Sequence, residues 1–476
     1  MPPQFIRIPP AIDLQPNPKG SPSSSNSLSF NFPPDQPVLG QPGKTAGDVV
    51  LTRGNHKNKV EISLGPRDKC NPETFRKAGG LVGKWLCAHP AEHFDLNAPD
   101  IDLLGIPGGC QAFLEGLRLG SYTFQKYKKV DHPLQPIVVH VSGADELVLR
   151  VQTVTDAVLL ARDWAHEPAN VINPVSLAER AAALAESAGL TCRVLTEIDL
   201  EALGAGAILA VGRGSQTPPR LIILEYAGNP NSADEKPVVL VGKALTFDTG
   251  GYSIKDTANI QGMKYDKCGG IAVMATMMAA AQLKLRQPII GIISAAENMI
   301  SSTSYRPDDI ITTLSGKTVE IVSTDAEGRL VLADALTYAQ QTCTPRLIID
   351  LATLTGGVVV ALGRIRAGIM GNDAGLINTL ISVGDRTNER LWQLPLDDEY
   401  LQATKGDDAD LKNSGGREGS AIMGGIFLKQ FVSAEIPWAH LDIAGMADTP
   451  KDTPYAPKGA TGFGIRLLVD FLDALS

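Results

Sequence analysis

Apolar residues gather into short runs along the second half of the chain: LIILEYA (221–227), KPVVLVGK (236–243), QPIIGIISAAEN (287–298), TVEIVST (318–324) and RLIIDLATL (346–354). Runs this nearly continuous in Val, Ile and Leu predict strands covered on both faces. Between and after them, GGIAVMATMMAAAQL (269–283), RLVLADALTYAQQ (329–341) and GIRLLVDFLDAL (464–475) have the length and apolar content of helices. Strands alternating with helices in this way predict an α/β fold around a mostly parallel central sheet. Upstream, VEISLG (60–65) and PIVVHVSG (136–143) read as strands, and residues 111–118 as a helix. VQTVTDAVLLARDWAHE (151–167) reads as a helix able to link two domains. Residues 1–45 are rich in Pro, Ser, Asn and Gln, and predict a disordered tail that buries too little to offset its ordering entropy. The chain therefore divides into that tail, an amino-terminal α/β domain over 46–160 ending in a linker helix, and a larger α/β domain over 161–476.

Length supports the division, because 476 residues exceed one ordinary core. A formal net charge of −9 is no footprint for nucleic acid. Lys126, Lys128 and Lys129 form a small basic cluster that reads as a solvated face. Six scattered cysteines without CxxC spacing fit reduced thiols rather than a disulfide framework. No stretch approaches the roughly 18 apolar residues of a membrane span, and the amino terminus has no signal-peptide pattern. A soluble, cytoplasmic protein is expected.

Several familiar motifs fail on inspection. LSGKT (314–318) has Ile311 where a P-loop needs Gly, HEPAN (166–170) lacks the second His of a zinc helix, and GYSIK (251–255) has Lys255 where a nucleophile elbow needs its second Gly. Two other stretches carry more. VGKALTFDTGGYSIKDTANIQGMKYDKCGG (241–270) follows an apolar strand, so Lys243 falls at the strand's carboxyl end, where open α/β sheets place ligands. Asp248, Lys255 and Asp266 follow. IVSTDAEGRLVLADAL (321–336) sets Asp325, Glu327 and Arg329 after another apolar run. Four carboxylates gathered at strand ends would repel one another unless some bound protons. Two divalent cations, about 3.5–4 Å apart, would remove that conflict, activate a shared water and polarise a carbonyl. Lys243 could join them as a ligand only when neutral, while Lys255 and Arg329 could stabilise an oxyanion. Taken singly, each stretch also reads as a polar loop, a surface lysine or an anion-binding turn.

Together the stretches resemble the leucine aminopeptidase (cytosol aminopeptidase) family of dizinc exopeptidases. The resemblance rests on STDAEGRL (323–330), on KALTFDTGGYSIK (243–255) with Asp266 beyond it, and on DLATLTGG (350–357), DADLKNSGGREG (408–419), PWAHLDIAG (437–445) and KGATGFGIRLLVDFL (458–472). It spans essentially 160–476 and weakens over 46–160. It implies a carboxy-terminal α/β/α zinc-exopeptidase domain and two ions, Zn²⁺ or Mn²⁺. Lys243, Asp248, Asp266 and Glu327 would hold the tighter ion, and Asp248, Asp325 and Glu327 the more exchangeable one. Lys255 would polarise the scissile carbonyl, Arg329 would position a bicarbonate as general base, and Met263, Thr353, Gly356 and Ala444 would line an apolar pocket for a Leu-like first side chain. The resemblance further implies peptide substrates with a free amino end and a homohexamer. Rivals within the family are a Cys-Gly dipeptidase and a non-catalytic structural or DNA-binding protein. The chain departs from the family at Ser323 (usually Asn), Ala244 (often Gly) and Lys267 (often Met), the last adding a positive charge immediately after Asp266. His440 reads as structural.

Overall fold

The computed structural model describes residues 12–16, 27–31, 50–53, 59–88, 93–102, 105–129, 137–232 and 235–475. They form two compact units. One comprises Leu160–Asp448 and Ala460–Ser476, the other Ile6–Leu159 and Thr449–Gly459.

The smaller unit is built on a six-stranded sheet in the order Ile12–Pro16, Ile137–Ser142, His93–Asn97, Ser27–Asn31, Lys59–Ser63, Val50–Arg53. All neighbours run parallel except the last pair. Two of these strands correct the reading of residues 1–45 as a disordered tail; the rest of that stretch lies outside the described residues. The reason is visible in IDL (12–14), where Ile12 and Leu14 alternate inward and are fully buried beside Val139 and Val141. A two-residue period this short is easily lost in a Pro-rich background. The helices Pro72–Ala88 and Gly109–Gly120 pack against each other through glycines. A Cβ on Gly79 would stand 2.0 Å from the Phe113 carbonyl oxygen, and one on Gly116 2.0 Å from that of Arg76. Backbone-to-backbone contact of this kind explains why a glycine-rich stretch is helical despite its poor intrinsic propensity.

The larger unit holds an eight-stranded sheet in the order Leu391–Gln393, Ala367–Gly371, Trp438–Asp442, Leu347–Ala352, Val238–Asp248, Ile289–Asn298, Arg220–Tyr226, Thr191–Leu195. The four central strands are mutually parallel, and antiparallel pairings flank them. Val238–Asp248 lies at the middle and is buried on both faces. Its Val239, Val241 and Leu245 share a core with Leu330, Val331 and Ala335 of the helix Gly328–Cys343. Gly242 abuts Gly270 of the helix Cys268–Gln282. The two faces of the sheet thus each receive a helix, as the sequence pattern requires. Two expectations shift. The strand does not end at Lys243 but runs to Asp248, continuing its pairing with Ile289–Asn298 across an irregularity at Ala296/Glu297. TVEIVST forms a strand only over Thr318–Glu320; from Val322 the backbone is held by the Asn413 side chain instead. No helix among the described residues is long and apolar enough to cross a membrane.

Candidate metal centre

Lys243 sits mid-strand on the face turned toward the helix Gly328–Cys343, and its long side chain reaches past the start of that helix. A Cβ at Gly328 would stand 2.7 Å from the lysine Nζ, so a larger residue there would push the end of the Lys243 side chain out of its present place. Lys243 Nζ lies 2.9 Å from Glu327 Oε1 and 3.0 Å from Asp266 Oδ1, and donates to the Thr353 carbonyl at 2.8 Å. Five residues on, Asp248 closes the strand. Its Oδ1 accepts from Asn298 Nδ2 at 2.7 Å and from the Gly250 N–H at 2.9 Å, while its Oδ2 lies 2.7 Å from Lys255 Nζ. Lys255 also contacts Asp325. Gly250 has φ of +84°, and a Cβ there would stand 2.9 Å from Asp325 Oδ1, so the turn between Asp248 and Lys255 needs glycine for both conformation and space. One carboxylate oxygen each from Asp248, Asp325 and Glu327 lies within 4.8 Å of the others. The sequence stretches 241–270 and 321–336 supply these residues, and the fold brings them to one cluster.

The electrostatics of the cluster favour added cations. Four carboxylates face two ammonium groups, mostly out of water. Burial raises the Asp266 carboxyl to about 7, despite Lys243 beside it. Burial, with Glu327 close by, raises Asp325 to about 6, and the same two causes raise Asp248. Glu327 alone is lowered, because Lys243 and Lys255 more than offset its burial. Negative charge thus exceeds positive, and protons make up part of the difference. Asp266 Oδ2 and Glu327 Oε2 are buried without a hydrogen-bond partner. Oxygen atoms of this kind, with an amine among them, are the donor set that divalent cations take. The residues fit the group that the sequence implies.

The cluster opens into a cavity of about 780 Å³ within the larger unit. Met263, Thr353, Gly356 and Ala444 all line it, as do Tyr265, Val359 and Ala447. A Cβ on Gly356 would meet nothing within 4 Å, so the missing side chain there leaves room. Arg329 is placed differently. It is buried at the start of its helix, does not line the cavity, and donates from Nη1 to the Asn413 carbonyl at 2.8 Å. Burial lowers its pKa to about 10, and its Nε has no hydrogen-bond partner.

Lys267 does not enter the cavity. Its amine is fully buried and donates to the carbonyls of Ala165 (3.2 Å), Glu167 (2.9 Å) and Lys264. Burial holds its pKa down to about 7. It ties the residue after Asp266 to the carboxyl end of the helix Asp145–His166. Lys267→Met should therefore act on stability, by about 2–4 kcal/mol, since three buried carbonyls lose their donor. Denaturant unfolding would show it; an unchanged midpoint and slope would refute that role.

Two contributors, Asn298 and Asn413, were not singled out in the sequence, nor was the role of a third, Ser323. Asn298 holds both Asp248 and the Thr324 carbonyl (2.9 Å). Asn413 accepts from the Val322 and Ser323 amides and donates to the Ser323 carbonyl at 2.6 Å, fixing the loop that presents Asp325. Ser323 Oγ accepts the Asp325 N–H at 3.2 Å, which gives the unusual serine a turn-forming role. A polar residue ending an apolar run was the available signal for Asn298, whereas Asn413 lies 84 residues from its partner Arg329.

Comparison with known proteins identifies the family. Residues 159–469 match the catalytic domain of the cytosol aminopeptidase family, and residues 45–131 match its N-terminal domain. A probable cytosol aminopeptidase of Geobacter sulfurreducens is 47% identical over 430 residues, covering 87% of this chain and 84% of that protein. One from Geotalea uraniireducens is 44% identical over 427 residues, covering 87% and 85%. Among solved structures, the bottromycin maturation enzyme BotP in complex with Mn superposes with a TM-score of 0.85 at 33% identity, covering 94% of this chain and 99% of that one. The cytosol aminopeptidase of Coxiella burnetii gives a TM-score of 0.84 at 31% identity, covering 98% and 99%. With both domains matched and the carboxylate–lysine cluster assembled, the chain belongs to the cytosol aminopeptidase family and is a metal-dependent aminopeptidase.

Proposed function

We propose that the chain releases single residues, Leu-like ones preferred, from the free amino ends of peptides, with two divalent cations, Zn²⁺ or Mn²⁺, at the cluster. The observation that carries this reading is the excess of buried carboxylate over buried ammonium at the head of a cavity whose wall includes Met263, Leu354, Val359 and Ala444. Lys243, Asp248, Asp266 and Glu327 would hold one ion, and Asp248, Asp325 and Glu327 the other. Bound there, the pair supplies Lewis acidity that polarises a peptide carbonyl and lowers the pKa of water.

The remaining steps belong to the chain's own side chains. A free α-amino group would serve as a donor to a cation held at the cluster and a blocked one would not, so N-acetylated peptides should be poor substrates. Met263, Thr353, Gly356 and Ala444 receive the first side chain by apolar contact, which discriminates by size more than by chemistry. Before cations bind, Lys255 is an ammonium, since Asp248, Glu327 and Asp325 raise its pKa beyond what burial takes away. It can donate to the carbonyl oxygen as negative charge develops. Arg329 would be the residue to position a bicarbonate as general base; its unpartnered Nε is the one feature favouring that role, since the side chain does not line the cavity. Assembly as a cytoplasmic homohexamer completes the reading and is open to light scattering.

Hydrolysis of Leu-p-nitroanilide should vanish on chelation, return with Zn²⁺ or Mn²⁺, and fall at least about a hundredfold in Asp325→Ala. Folded protein inactive under every metal would defeat the reading. Cleavage of Cys-Gly alone would replace it with the dipeptidase alternative.

A further inference from the structure

Asp442 lies outside the metal cluster, at the end of the strand Trp438–Asp442, and is fully buried. Its Oδ1 accepts the backbone N–H groups of Leu354 (3.1 Å) and Ala444 (3.2 Å), with that of Thr355 at 3.5 Å. Its Oδ2 accepts the Thr355 hydroxyl at 2.6 Å. One carboxylate thus gathers donors from two segments far apart in sequence, and both segments line the cavity.

The consequences pass further. Thr355 Oγ1 also accepts the Val358 N–H at 3.1 Å, capping the short helix Gly356–Leu362, which supplies Val359 and Val360 to the cavity wall. On the other side, Thr353 touches the cluster twice. Its carbonyl accepts from Lys243 Nζ at 2.8 Å and its hydroxyl donates to Asp266 Oδ1 at 2.7 Å. The peptide after Thr353 is the one whose N–H Asp442 holds, so the carbonyl facing Lys243 and the N–H facing Asp442 belong to one planar unit. Rotating that unit to satisfy Asp442 aims the carbonyl at Lys243. Behind it the strand end is stiffened by Asp350, which accepts from Trp438 Nε1 at 2.7 Å and pairs with His440 Nδ1 at 2.6 Å.

We infer that Asp442 is a positioning residue: through Thr355, Leu354 and Ala444 it sets the shape of the side-chain pocket, and through Thr353 the aim of Lys243 and Asp266. The pocket half of this inference rests on the aminopeptidase reading; the cluster half does not. Groups that orient metal ligands are commonly worth ten- to a hundredfold in metal affinity.

Asp442→Asn keeps an oxygen for the amides but turns an NH₂ toward Thr355, and Thr355→Val removes only the hydroxyl. Thr355→Ser restores it. Each full-length variant is titrated with Mn²⁺ after chelation, then assayed with saturating Mn²⁺ on Leu- and Ala-p-nitroanilide. Asp442→Asn and Thr355→Val are expected to weaken Mn²⁺ binding about tenfold and to lower the Leu-to-Ala ratio of kcat/KM at least about fivefold through KM for Leu. Thr355→Ser should stay within about twofold of the parent. Folded variants with parental Mn²⁺ affinity and parental substrate ratio would overturn the inference, as would a Thr355→Ser protein as impaired as Thr355→Val. Should the parent protein cleave neither substrate, the peptidase reading fails, and the Mn²⁺ titration alone decides the role of Asp442.

Discussion

Glu327→Gln should reduce kcat/KM at least about a thousandfold and cut the bound metal below two ions per chain. The expectation follows from the position of this carboxylate among its neighbours. Glu327 raises the carboxyls of Asp248, Asp266 and Asp325 and raises the pKa of both Lys243 and Lys255. Asp248 and Lys255 each act on four of their neighbours, one fewer. Its Oε1 lies 2.9 Å from Lys243 Nζ, while Oε2 is buried with no partner. Gln preserves the volume but removes the charge and puts an NH₂ where one oxygen stood. Without Glu327 the two lysines face one carboxylate fewer, and a second dication gains correspondingly less on entering. Losing about 4 kcal/mol of transition-state stabilisation corresponds to the thousandfold figure. Steady-state kinetics and elemental analysis of the purified protein give the two readouts. A variant retaining two ions and a tenth of the activity would remove Glu327 from the centre.

The chain shows how far such a site is legible before folding. Charged residues that follow apolar strands in an α/β pattern converge, because parallel strands deliver their carboxyl ends to one edge of the sheet. That geometry accounts for Asp248, whereas Asp325 and Glu327 follow Thr318–Glu320 of a separate three-stranded sheet and come in on a loop held by Asn413; the quoted stretches resembled a family that matching over 159–469 then showed. The same reasoning misplaced Lys243, which is mid-strand and reaches the cluster by the length of its side chain past Gly328. Strand ends depend on which neighbour continues the pairing, here Ala244 and Leu245 against Ala295 and Ala296, and local pattern carries no such information. Supporting residues were hidden for a related reason. Asn413 and Asp442 act on backbone groups 87 to 91 residues away, through bonds that exist only once the chain has folded. Lys267 marks the opposite error: a charge next to a presumed ligand in sequence, whose side chain leaves in another direction to meet the carbonyls of Ala165 and Glu167.

Lys255→Met should lower kcat about a hundred- to a thousandfold while leaving metal content and KM near their parental values. Lys255 is carried on the turn after Asp248, and its own N–H donates to the Thr249 carbonyl at 3.0 Å, which pins the turn. Its ammonium has three donors, and two contacts, to Asp248 and Asp325, are visible. The same carboxylates would be called on by bound cations, so loading the cluster loosens the hold on Lys255 and leaves its donors for a substrate oxygen. A positive charge already in place, within a partly dry cavity, stabilises an oxyanion without reorganisation at the moment of reaction. Ground-state substrate carries no such charge, which is why the loss should fall on kcat. Arg is not expected to rescue, because its planar fork is larger and fixed where a rotatable ammonium is needed. Before cations bind, Asp248, Glu327 and Asp325 raise the Lys255 pKa above its ordinary value despite its burial, so the side chain stands in the cluster as an ammonium. Glu327→Gln and Lys255→Met therefore separate two functions within one cluster. The first should lose metal together with activity. The second should keep its metal and bind substrate yet turn over slowly; if it instead loses both ions, or keeps kcat within tenfold, Lys255 belongs to the scaffold of the centre and not to its chemistry.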